Sequence, residues 1–204
     1  MIGILDYGMG NIKSVYNSLD WEGFDVEIVS DVAQLDDLTH LIVPGVGAYF
    51  KAMENLKEKA LIQPLQDFVA SGRPVLGICL GMQILSTLGT EGHETPGLDW
   101  ISGRVDLMEL DDLPVPHMGW NALVFHQSHP ILEGIKDHVD YYFVHSYRFH
   151  IESESDLIAS TDYGSLFPSI VAKNNVVGVQ FHPEKSQENG LRMLSNFCEW
   201  DGTC

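Results

Sequence analysis

The chain falls into two halves with different rhythms of apolar and polar residues. In the first half, short apolar runs ending at turn residues alternate with stretches whose apolar positions recur every three or four residues. MIGILDYG is an apolar run closed by glycine and predicts a buried strand. Ile12, Val15, Tyr16 and Leu19 then stand at i, i+3, i+4 and i+7, one face of a helix that Gly23 would end. FDVEIVS alternates as a strand does, and HLIVPG is another short strand running into a turn. Leu61, Ile62, Leu65, Phe68 and Val69 form a second helical stripe, closed by Gly72 and Pro74, with the strand PVLGIC after it. The order β–α–β–β–α–β predicts an α/β protein with a mixed, mostly parallel sheet flanked by helices. Functional residues should gather beyond the carboxyl ends of its strands.

The second half is richer in strand-like runs and is punctuated by Pro and Gly. ISGRVDLMEL, HMGWNALVF, YYFVHSYRFH, IVAK and VVGVQFH each predict a strand. A last helix, roughly 187 to 200, would bury Leu191, Leu194, Phe197 and Cys198. The segment from Thr87 to Gly97, rich in Gly, Thr and Glu, predicts a surface loop. No repeat, low-complexity segment or long linker interrupts the chain, and its 204 residues predict one domain, 1–204, with a well-buried core.

Charge narrows the function classes. There are 29 acidic and 11 basic residues, a formal net charge of -18, and the basic residues form no stripe. Nucleic acid and anionic membrane are poor partners for such a surface. MIGILDYG carries no basic n-region and is not expected to act as a signal peptide. Three cysteines, Cys79, Cys198 and Cys204, with no CxxC spacing, argue against a disulfide framework or zinc site and suit a reducing cytoplasm. His126 and His129 have no third ligand nearby, and Pro130 breaks any helix between them, so no metal is expected there.

One of those cysteines sits in a telling place. Gly77-Ile78-Cys79-Leu80-Gly81 is a G-x-C-x-G pattern between an apolar strand and a helix-like stretch, the thiol form of a nucleophile elbow. Glycines are expected on both sides because a sharp strand-to-helix turn crowds the backbone. A helix N-terminus would favour the thiolate. The alternative is a small structural cysteine in the core. A nucleophile needs a base, and the base an orienting group. GVQFHPEKS offers both: in strand geometry His182 and Glu184 would point to the same side. An oxyanion hole needs the N–H of Leu80 and a second donor from a glycine-rich loop, which IVPGVGAYF supplies at Gly45 and Gly47. Glycines flanking Val46 would also let the intervening peptide turn over.

These residues together resemble the class I, triad-type glutamine amidotransferases, which have a flavodoxin-like fold. The likeness runs over nearly the whole chain, through DYGMGNIKSV, PGVGAYF, LGICLGMQ, PVPHMGWN, YYFVHSY and GVQFHPEKS. Within the class, PGVGA, PHMGWN and FVHSY are similar to glutaminase subunits of histidine biosynthesis. The resemblance implies Cys79 as nucleophile, His182 as base and acid, Glu184 as its orienting carboxylate, and Gly47 and Leu80 as oxyanion donors. Gln83, Glu91 and the backbone near Ser146 and Tyr147 would hold glutamine. Trp120 and Lys185 would lie toward the partner at the ammonia exit, with plain core packing the other reading of Trp120. No cofactor is implied.

A glutaminase fold would use up the chain, so the resemblance also implies a separate acceptor enzyme. That partner is expected to be a (β/α)8-barrel cyclase, joined as a heterodimer, which makes imidazole glycerol phosphate and AICAR. A related glutaminase serving another acceptor, such as a surface-sugar amidotransferase, or a non-catalytic scaffold, remains an alternative.

Overall fold

The computed structural model describes residues 1–203; Cys204 lies outside them. The first half runs β1 (Ile2–Leu5), α1 (Ile12–Trp21), β2 (Val26–Val29), β3 (His40–Gly45), α2 (Tyr49–Glu58), α3 (Ile62–Ala70), β4 (Val75–Cys79) and α4 (Leu80–Gln83). Helix α2 goes beyond the predicted elements, although Tyr49, Ala52, Met53 and Leu56 have helical spacing and are buried. It is divided from α3 at Ala60, where φ of 54° takes the backbone out of the helix.

The second half contains β5 (Leu88–Gly89), β6 (Thr95–Pro96), β7 (Gly103–Leu107), β8 (His117–Ala122), β9 (Val124–Phe125), β10 (Asp140–His145) and β11 (Tyr147–Ile151). It closes with β12 (Leu157–Asp162), β13 (Leu166–Lys173), β14 (Val176–Val179) and α5 (Gln187–Glu199). Five expectations are corrected here, the first being HMGWNALVF, which is β8 and β9 in two different sheets, parted at Leu123. YYFVHSYRFH is two strands in different sheets, broken at Ser146, because β10 pairs with β8 and β11 with β7. The predicted loop behind the cysteine contains the short β5–β6 pair. β12 lies outside the predicted strands. In α5 the buried stripe is Met193, Leu194, Phe197 and Cys198, with Leu191 only partly covered.

The main sheet has eight strands in the order β2-β1-β3-β4-β14-β13-β12-β9. From β2 to β14 every pairing is parallel; beyond β14 the strands are antiparallel. Both faces of the inner parallel strands are covered, so β1, β4, β14 and β3 after His40 are continuous apolar runs, whereas the edge strand β2 carries Glu27 and an exposed Ile28. Ile42, Leu76 and Ile78 point into one core cluster with Val15 and Leu19 of α1 and Phe197 of α5. Leu41, Val43 and Val75 point into the other, with Leu56 of α2 and Phe68 of α3. A four-stranded sheet, β11-β7-β5-β6, and the β10-β8 pair complete the fold.

This topology positions the chemistry. β4 lies between β3 and β14 and parallel to both, with Gly45 opposite Cys79 and Val179 opposite Ile78. The PGVG turn, the cysteine and the segment leading to His182 therefore leave the sheet at the same rim.

Candidate active site

Cys79 ends β4 with φ 55° and ψ −109°, a conformation costly for a side-chain-bearing residue. The flanking glycines allow it: a Cβ on Gly77 would come within 2.6 Å of the Gly81 carbonyl oxygen, and one on Gly81 would collide with the Val43 carbonyl. The sharp turn leaves Cys79 only 7% exposed, in the lining of a cavity of about 370 Å³. Helix α4 is a single turn of four residues. The expected help from a helix dipole is thus small, since the dipole grows from aligned peptides over several turns. Leu80 is the first residue of that turn, and its N–H belongs to the set with no intrahelical acceptor.

The strand reading of His182 and Glu184 also needs correction. β14 stops at Val179, and residues Pro183–Lys185 form a 3-10 turn. The turn folds the carboxylate back, so that His182 Nδ1 lies 2.8 Å from Glu184 Oε1, both side chains being fully buried. Three tethers hold it. His182 N–H donates to Tyr142 O at 2.9 Å, Ser186 Oγ donates to His182 O at 2.6 Å, and the Tyr142 N–H donates to Ser186 Oγ at 3.0 Å. Asn11 Nδ2 donates to the same Glu184 oxygen at 3.0 Å, and Ser14 Oγ donates to Asn11 Oδ1, fixing the amide.

Nδ1 being bonded to a carboxylate, Nε2 of His182 is the atom left for chemistry; it is buried with no hydrogen-bond partner and belongs to the same cavity as Cys79. Burial disfavours an imidazolium here, but interactions with Cys79 and Glu184 outweigh it and raise the His182 pKa to about 9. An imidazolium beside sulphur is the arrangement that supports a thiolate.

Gly47, Leu80, Gln83, Glu91, Ser146 and Tyr147 line this cavity with Cys79 and His182. Glu184 lies behind His182 rather than at the wall. Gln83 Nε2 donates to Tyr147 O at 3.1 Å, and Glu91 Oε2 accepts the Tyr49 N–H at 2.6 Å, capping α2 while facing the cavity. Trp120 and Lys185 stand outside, around Tyr142: the Trp120 and Tyr142 rings are 6.0 Å apart and Lys185 Nζ is 5.9 Å from the Tyr142 ring. Trp120 is 47% exposed, which removes the core-packing alternative. His126 bonds Ser160 Oγ at 2.7 Å, whereas His129 accepts from Ile131 N and packs against Trp200.

Residues outside the predicted set also build the site. Asn11 is one; its partner Glu184 is distant in sequence, and only the DYGMGN motif hinted at it. His145 and Val144 join the cavity wall. His145 Nδ1 donates to Tyr147 O at 2.8 Å, so its Nε2 is an acceptor and His117 Nδ1, 3.0 Å away, is the donor. Burial holds both rings neutral, His117 at about 4 and His145 at about 3, the latter despite its bond to Tyr147.

The family model for glutamine amidotransferase class-I matches residues 3–200. The chain belongs to that family. Among its relatives, a protein of Desulfitobacterium hafniense (strain DSM 10664 / DCB-2) is 47% identical over 98% of this chain and 94% of its own length. One from Aquifex aeolicus is 45% identical over 95% and 94%. Both are named imidazole glycerol phosphate synthase subunit HisH. A solved glutamine amidotransferase shares the fold with a TM-score of 0.75 at 22% identity, covering 99% of both chains. A chain in the structure of PurLQS from Thermotoga maritima gives 0.73 at 18%, covering 97% of both chains.

Proposed function

We propose that this chain is the glutaminase subunit of an imidazole glycerol phosphate synthase, converting glutamine and water into glutamate and ammonia. One observation carries the chemistry: a buried imidazole, biased toward its cation by Cys79 and by the Glu184 carboxylate, shares a cavity with that strained cysteine. The close similarity to subunits of that name supports the pathway.

In this reading the Cys79 thiolate attacks the side-chain amide carbon of glutamine, and the amide oxygen takes the negative charge. The Leu80 N–H and a donor from the loop at Gly47 stabilise that oxyanion; losing one such donor costs roughly 10²- to 10³-fold in rate. His182 delivers its Nε2 proton to the departing nitrogen as the C–N bond breaks, releasing ammonia and leaving a glutamyl thioester on Cys79. His182, now neutral, accepts a proton from water, whose oxygen attacks the thioester. Glutamate leaves, and the thiolate–imidazolium pair is restored. Gln83, Glu91 and the 146–147 backbone hold the amino-acid end of the substrate.

The partner in this reading is a (β/α)8-barrel cyclase that consumes the ammonia. Its docking face would be the rim carrying Val46, Met118 and Trp120, apolar residues 42%, 61% and 47% exposed, with Lys185 beside them. Contact at Val46 would reach the oxyanion loop directly, so that hydrolysis follows occupancy of the partner. Among the described residues no helix is long and apolar enough to cross a membrane; a cytoplasmic location is part of the proposal.

The test is glutamate release by the purified chain, alone and with a barrel cyclase and its nucleotide ligand, beside Cys79→Ala. A large rise with the liganded partner and no release by the variant are expected. Full activity without a partner would remove the gating. Silence in every mixture would remove this acceptor.

A further inference from the structure

Gln180 lies just beyond β14, two residues before His182, and is fully buried. Its backbone N–H is bonded to Ser169 O at 2.9 Å, which fixes where the side chain starts. Gln180 Nε2 stands 3.7 Å from Cys79 Sγ, within reach of an N–H···S hydrogen bond, and Gln83 Nε2 donates to Gln180 Oε1 at 3.1 Å.

The polarity of this chain of bonds is set by one group that cannot change roles. The Tyr147 carbonyl is an acceptor only, so the Gln83 atom facing it must be the amide nitrogen. That same nitrogen faces Gln180, whose near atom must then be oxygen. The Gln180 NH2 is thereby turned toward sulphur and cannot flip without stranding buried polar atoms. His145 donates to the same Tyr147 oxygen, which is therefore held by two donors. The sulphur of Cys79 accordingly meets a fixed donor at 3.7 Å, which favours a thiolate, set against the Val144 carbonyl oxygen at 3.9 Å, which can accept only from a thiol.

We propose that Gln180 is a positioning residue of the active site: it directs an N–H donor at the Cys79 sulphur and, through its oxygen, orients the Gln83 amide so that only Gln83 Oε1 is free for the substrate. The inference deepens the glutaminase reading and rests on it for its catalytic meaning. The ionisable groups around the sulphur are His182 and Tyr7, with His145 and Glu91 further along the cavity wall and Glu184 behind His182. None of them is changed by substituting Gln180.

The experiment uses Gln180→Leu, which keeps the bulk and removes both amide functions, and Gln180→Glu, which replaces the donor by an acceptor. Alkylation of Cys79 by iodoacetamide is followed across pH by peptide mass mapping on the full chain, beside steady-state glutaminase kinetics in the complex. The alkylation midpoint should move up by about one pH unit in Gln180→Leu, equivalent to about tenfold less thiolate at a given pH, and further in Gln180→Glu. kcat should fall, and KM for glutamine should rise because Gln83 is released. A midpoint unchanged in both variants overturns the proposal, even if their thermal stability drops, since a merely structural role would lower stability alone. If neither variant folds, Gln83→Met decides: freeing the Gln180 amide should move the midpoint in the same direction by a smaller amount, and no movement overturns the proposal. Glutamate release by the unmodified complex, absent in Cys79→Ala, checks the glutaminase reading separately from the alkylation profile.

Discussion

Cys79 and Cys198 are almost equally hidden, 7% and 9% exposed, and belong to the same core cluster. What surrounds them is different. Cys198 sits on α5 with apolar neighbours; burial, reinforced by the nearby Glu199, pushes its thiol up to about 12. Cys79 is held out of ordinary backbone geometry, faces a cavity, and has the His182 imidazole and the Gln180 amide at its sulphur. Burial by itself therefore makes a thiol inert. Reactivity has to be supplied by groups brought from elsewhere in the chain, and the contrast between the two cysteines measures what those groups add.

The sharpest way to break the comparison is to label both thiols in the native protein with iodoacetamide at neutral pH. Cys79 should react at least about a hundredfold faster than Cys198, because only thiolate is nucleophilic and a group titrating near 12 holds almost none. Comparable rates would mean that the site confers no activation. Next comes pH. The His182 pKa is raised above the ordinary imidazole value to about 9. Its ion pair thus contributes stability that is fully present below about pH 6.5 and lost as pH climbs through about 9. The unfolding midpoint of the wild type should fall across that window, and that of His182→Asn should not show the fall.

A smaller effect is expected at Asn11, which touches neither cysteine. Asn11→Ala removes a hydrogen bond to the charged Glu184 and should lower kcat about tenfold with little change in KM for glutamine. An unchanged kcat would show that the turn at 182–186 holds Glu184 without help. Least of all should happen with Cys198→Ala. Glutaminase kinetics should stay within about twofold, while thermal stability drops slightly through the lost packing.

How much of this was legible follows from the range of the interactions. β1, α1, β3, β4 and α5 were readable because each carries its pattern within about ten residues. Cys79 and the His182–Glu184 pair were readable for the same reason, each in a short motif. The split of YYFVHSYRFH was not, because its two parts differ only in which distant strand they meet: β10 takes β8 and β11 takes β7. Helix α2 had a readable stripe, obscured by merging into the stripe that follows it. Asn11 and Gln180 act on residues far away in sequence, and no local spacing marks such contacts. The reading of His182 and Glu184 had the right neighbours and the wrong cause, a tight turn in place of strand alternation.

The strained backbone at residue 79 carries a last consequence, for the protein's stability rather than its chemistry. A conformation of this kind costs a side-chain-bearing residue on the order of 1 to 3 kcal/mol, and glycine would occupy it at ease. Trading this cysteine for glycine would release that strain, at the expense of a buried core side chain and of glycine's extra freedom in the unfolded chain. The elbow thus stores its strain at the one position where activity begins, and keeping the nucleophile means keeping that strain in the fold.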